Sequence, residues 1–198
     1  MKKILLIIIT LLAFSSNTAL AADIGDVNIG QMFANSGSSW VELMNLTRGV
    51  AWVIGVIVGG MALFKFKEVN EGKATITTAI LYTFVSAVFI SLPGSISTVT
   101  ETLSLGKNTA TELLSREPAG TAGVPGAAEA IVGVLLFIKL VGHIAFVRGF
   151  LILKDYGAGK NEHMGKAFVH IIGGAAAINI EATVAMFSAT FFGGAFGI

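Results

Sequence analysis

Residues 74–92 read ATITTAILYTFVSAVFISL, nineteen positions without a charge, followed by Pro93 and Gly94. As a helix this run rises about 28 Å, close to the roughly 30 Å of a bilayer's hydrocarbon core. Hydrocarbon satisfies no open backbone group, so a run of this kind in lipid must be helical. It lacks the ten-residue alternation of a membrane β-strand. Three similar runs lie around it. One extends from about Gly49 to Phe66, after a more amphipathic lead-in at Trp40 to Thr47. The others are Ala130 to Leu153 and Ala167 to Phe192. The expected fold class is all-α: a polytopic membrane protein whose four transmembrane helices form two hairpins.

Composition agrees with that expectation. Of 198 residues, 54% are hydrophobic and only 13% charged, with a mean hydropathy of +0.81. Soluble domains carry about 25% charged residues. A chain with half that share cannot cover a soluble surface, which argues against disorder and against a plain soluble enzyme. A net charge of +1 gives no field for nucleic acid, so no direct nucleic-acid binding is expected. There is no Cys, hence no disulfide framework and no thiolate metal site.

The first 21 residues have the three parts of a secretory signal peptide. Lys2 and Lys3 are the basic start, Ile4 to Phe14 the apolar core, and Ala19-Leu20-Ala21 the small-x-small cleavage site. Cleavage after Ala21 leaves a mature N-terminus outside the cytoplasm. The chain then divides into an N-terminal segment at 22–48, a first hairpin at 49–92, a loop at 93–129 and a second hairpin at 130–198. Lysines set the orientation. Lys65, Lys67 and Lys73 follow the first span, and Lys154, Lys160 and Lys166 follow the third. The positive-inside rule puts both bends in the cytoplasm of a bacterial inner membrane. The middle loop then faces the periplasm, with a partly amphipathic helix expected at Thr98 to Ser115 and a Gly- and Pro-containing linker at Arg116 to Gly126.

The halves look alike. Gly60-Met61-Ala62-Leu63-Phe64-Lys65 closes the first span and Gly149-Phe150-Leu151-Ile152-Leu153-Lys154 the third. Each is followed by a Gly- and Lys-containing bend, the second about four residues longer. This suggests a parallel repeat of one hairpin. Gly55, Gly59 and Gly60 suggest close helix packing, as do Gly173 and Gly174 in the fourth span.

Polar residues cluster in the second hairpin. Lys139 lies fourteen residues before Leu153, and Glu181 fourteen after Ala167. Both therefore sit roughly 21 Å above the cytoplasmic boundary. Charges at such depth cost several kcal/mol unless paired. An ion pair between Lys139 and Glu181 is expected, with His143 and Asn179 beside it. Arg148 and His170 lie near the inner boundary and read as interfacial anchors.

Enzyme signatures are lacking. Gly157-Ala158-Gly159-Lys160 resembles a phosphate-binding loop, but that pattern needs Gly at 154 and Ser or Thr at 161, where this chain has Lys and Asn. His143, His163 and His170 lack metal-ligand spacing. No catalytic residue, metal or cofactor is expected.

His143-Ile144-Ala145-Phe146-Val147-Arg148-Gly149, the Gly/Lys bend, and Gly165-Lys166-Ala167-Phe168-Val169-His170-Ile171-Ile172-Gly173-Gly174 with Asn179-Ile180 together resemble the IcmC/DotE family. These are small inner-membrane proteins of type IVB (Dot/Icm) secretion and related conjugative transfer systems. The resemblance covers about Leu136 to Ile180, weakens in the first half and is absent from the middle loop. It implies a structural part of a machine that exports protein or DNA. Other inner-membrane subunits, membrane lipids and a further copy of the chain are the expected partners. The signal peptide and hairpins also resemble conjugative pilins, which implies as an alternative a subunit that polymerises. The mid-membrane Lys, His, Asn and Glu suggest a third reading, an oligomeric ion or solute channel.

Overall fold

A computed structural model describes residues 29–103, 127–160 and 163–192. The expected signal peptide at 1–21 and most of the middle loop lie outside the described residues. Among those described there are six helices and no strand: α1 Ile29–Asn70, α2 Ile76–Ile90, α3 Leu92–Thr102, α4 Ala127–Gly157, α5 Met164–Ile178 and α6 Ile180–Phe192. Two of them, α1 and α4, contain stretches long and apolar enough to cross a membrane, and up to four spans result if each bent pair, α2–α3 and α5–α6, counts as one.

The expected second span ends as α2 does, within two residues of Leu92, and a further helix turns off after it, whereas the expected fourth span is broken within its bounds, at Asn179. The chain turns by 99° between α2 and α3, and by 94° between α5 and α6. In the first hairpin the break comes at Ser91, two residues before Pro93, which occupies the first turn of α3. Proline has no N–H to donate, so it fits a helix start. In the second hairpin no proline is involved. Asn179 leaves helical geometry at φ −111°, ψ 50°, close to the −107°, 41° of Ser91. A hydroxyl bridges each break. Ser95 Oγ donates to the Val88 carbonyl at 3.2 Å, and Thr183 Oγ1 to the Ala176 carbonyl at 2.8 Å. Both bonds reach back seven residues and satisfy a carbonyl that the break would otherwise leave open.

Those two bonds belong to a wider correspondence. α2 and α5 each have fifteen residues, and every position in α5 lies 88 after its counterpart in α2. The preceding bends match as well. Gly72 and Gly159 have φ of +72° and +73°. Lys73 N–H donates to the Glu68 carbonyl and Lys160 N–H to that of Asp155, while Gly72 N–H reaches Val69 and Gly159 N–H reaches Tyr156. This is the glycine-closed helix end in which left-handed backbone satisfies the last carbonyls. The match puts Lys154 opposite Lys67, not opposite Lys65 as the sequence suggests. The bends differ by one residue, 71–75 against 158–163, not by four. The hairpins are geometric copies inserted in the same sense, although little sequence likeness remains.

Close helix crossings stand at equivalent points. A Cβ on Gly55 would lie 3.0 Å from Ile90 N, and one on Gly142 would lie 2.8 Å from Ile178 N. Ser86 Oγ donates to the Gly55 carbonyl at 2.8 Å; its counterpart is Gly174, where a Cβ would meet the Gly142 carbonyl at 2.9 Å. α4 packs on α1, α2 and α5 and so forms the centre of the bundle. Its Phe146 and Phe150 join Phe89, Val85 and Ile171 in one buried cluster. Met44 of α1 packs against Leu135, Leu136 and Leu140 of α4 beyond the breaks. Near the bends Thr78 Oγ1 donates to the Gly157 carbonyl at 2.6 Å, tying one hairpin to the other.

α1 is continuous through the expected boundary at 48/49, and its 42 residues rise about 63 Å. Of the helix expected at Thr98 to Ser115, Thr98 to Thr102 lie in α3, which starts at Leu92, and residues 104–115 lie outside the described residues.

Candidate functional site

The breaks bring the polar residues of the second hairpin to one level of the bundle. Lys139 and His143 lie one turn apart on α4, Asn179 forms the α5–α6 break, and Glu181 opens α6. All four are buried, Lys139 at 1% exposure and Glu181 at 9%. They are positioned by Gly142, whose close approach to Gly174 and Ile178 draws the break against α4.

The expected ion pair does not form. Among the described residues the salt bridges lie at the bend end, within 65–73 and 154–160, and none joins Lys139 to Glu181. Equal depth was a sound deduction for straight helices. The 94° turn after Ile178 carries Glu181 away from the line on which it would have faced Lys139.

His143 instead faces the first hairpin. Its Nδ1 lies 2.8 Å from the Lys139 carbonyl. A carbonyl only accepts, so Nδ1 carries the proton. In the neutral ring Nε2 is then an acceptor, and Arg48 Nη2 of α1 stands 3.4 Å from it. Arg48 also donates to Asn45 Oδ1 at 3.1 Å, while its Nε is buried with no hydrogen-bond partner. Arg48 is the residue that sequence reasoning missed. It falls in the N-terminal segment at 22–48, just outside the first span expected from Gly49. The parallel insertion of α1 and α4 held the signal: residues at equal depth on the two helices become neighbours.

The predicted packing glycines divide. Gly55, Gly59 and Gly174 lie where a Cβ would come within 3.0 Å of a neighbour. Gly60 and Gly173 do not: a Cβ on either would meet nothing within 4 Å. They are on the outer faces of α1 and α5, which the sequence could not orient. Gly142 and Gly149 are crossings that sequence reasoning passed over, with backbone at 2.8 Å and 2.9 Å.

Arg148 is exposed on α4 and His170 half-buried on α5. His170 Nδ1 lies 2.8 Å from the Lys166 carbonyl. At the bend, Asp155 accepts from Lys154 at 2.6 Å and from Lys160 at 2.8 Å; the bond to Asp155 raises Lys160 above the ordinary lysine range. Among the described residues no group of three or more His, Cys, Asp or Glu is placed to hold a metal. The arrangement offers donors and one buried carboxylate. It is suited to fixing helices against each other.

No family model matches the chain, and no curated protein or solved structure matches it.

Proposed function

We propose that the chain is a multi-pass structural subunit of the inner membrane, with both Lys-rich bends in the cytoplasm and the mature N-terminus in the periplasm. The observation that carries the membrane reading is the exposed apolar surface. Leu63, Phe64, Val169 and Phe191 are 69–73% exposed, and large apolar residues cover the outer faces of α1, α2, α4 and α5. Water does not tolerate so continuous an apolar coat, whereas hydrocarbon covers it without cost.

The machine we infer is a type IVB secretion or conjugative transfer apparatus, in which this subunit helps to build the translocation complex by helix packing. The resemblance over Leu136 to Ile180 supports that reading. Its partners are other inner-membrane subunits, lipids and a further copy of the chain. Deleting the gene in its host should abolish cargo export, and the tagged protein should co-purify from detergent with the other membrane subunits. Normal export in the deletion strain would remove the apparatus from this reading. Release of the protein from vesicles by carbonate would remove the membrane.

A further inference from the structure

The two returning helices are short. α2 and α5 each have fifteen residues and so rise about 22 Å at most, since tilt only lowers the height. An ordinary hydrocarbon core is about 30 Å thick. Polar groups bound α2 closely at both ends. Lys73 and Thr75 precede it, exposed Ser91 ends it, and α3 follows at a right angle, burying Leu92, Ile96 and Thr100 and exposing Pro93, Gly94, Thr98, Glu101 and Thr102. That is the pattern of a helix lying at a water interface. α5 ends in the same way at Asn179, and α6 turns off carrying exposed Phe187 and Phe191.

The polar cluster lies at the same level. Gly142 meets Ile178 at the end of α5, so His143 is at the break and Lys139 about 5 Å beyond it. In a bilayer of ordinary thickness these groups would lie well below the outer head groups. With the boundary at the breaks they reach them. The apolar face of α1 behaves differently: Gly55 meets Ile90 at the end of α2, yet Leu46, Val50 and Trp52 stay 42–53% exposed past that level.

We propose that the protein is fitted to a locally thin bilayer, with about 22 Å of hydrocarbon beside α2 and α5, and thins the surrounding membrane on those flanks. This rests on the membrane reading above. A thinned patch lowers the barrier that polar segments meet in crossing lipid.

Tryptophan quenching by brominated phosphatidylcholines tests the proposal. Trp40 and Trp52 are the native tryptophans. In a background with both changed to Phe, Phe84→Trp reports on lipid beside α2 and Phe168→Trp beside α5. Both positions are about half exposed. Trp52 in a Trp40→Phe background reports on α1. The vesicles carry acyl chains of fourteen to twenty-two carbons. The α2 and α5 reporters should favour chains of fourteen to sixteen carbons over eighteen by at least about twofold, and Trp52 should favour longer ones. The unsubstituted protein should show its highest thermal midpoint in the short-chain vesicles. Preference for eighteen carbons or more at both flank reporters, or a midpoint that rises with chain length, would overturn the inference and leave the membrane reading standing. No quenching at any reporter by any lipid would overturn both.

Discussion

Two kinds of glycine share α1, α4 and α5, and their consequences differ. Gly142 and Gly174 face backbone at 2.8 Å and 2.6 Å. A backbone cannot swing aside as a side-chain tip can, so Gly142→Ala or Gly174→Ala should push the helices apart and cost about 1–3 kcal/mol. Gly60→Ala and Gly173→Ala meet open space. They should change stability by less than about 1 kcal/mol, in the stabilising direction, because alanine is the better helix former. Thermal unfolding of the four variants in one detergent separates the two classes. The charged residues give a second contrast. Lys139 and Glu181 share no ion pair among the described residues, so exchanging their charges should not rescue the single variants. A double-mutant cycle should show coupling below about 0.5 kcal/mol. The same cycle on Arg48→Ala and His143→Ala, whose side chains meet, should show about 0.5–1.5 kcal/mol. Coupling of the reverse order would refute this geometry.

At the scale of elements, each hairpin is a long helix, a glycine-closed bend, a fifteen-residue helix and a hydroxyl-bridged break. Where the bend requires left-handed backbone, at Gly72 and Gly159, alanine should cost about 1–2 kcal/mol. At the breaks, Ser95→Ala and Thr183→Ala each remove the donor for a carbonyl that helix geometry has released. Each should cost about 1 kcal/mol, and more if the carbonyl is left in hydrocarbon. Hydrogen exchange at the ends of α2 and α5 checks this, since local opening there should rise in the variants while the middle of α4 stays protected. The hairpin copies were only faintly legible in sequence. Their likeness lies in backbone conformation at Gly72, Ser91, Gly159 and Asn179, and several residue types can adopt the same break.

For the whole molecule, the bends at Gly72 and Gly159 lie at one end of the bundle and the breaks at Ser91 and Asn179 at the other. Reporter fusions placed after Gly72 and after Gly159 should therefore give the same topology signal, cytoplasmic if the lysine bias governs insertion. Opposite signals would contradict both the orientation and the bundle.

The sequence by itself determined the helical class, the four apolar stretches, the two lysine-rich bends and the residue types of the polar cluster. Each of these follows from local composition and the energy of moving a side chain between water and hydrocarbon. Only the tertiary structure decided that the fourth stretch breaks at Asn179, that a further helix turns off at a right angle after Ser91, that Arg48 rather than Glu181 meets the cluster on α4, and which glycines touch a neighbour. The physical reason is that an apolar run reports how readily a segment leaves water. It does not report the direction of its axis, and a hydroxyl seven residues away can stabilise a right-angle turn that hydropathy does not register.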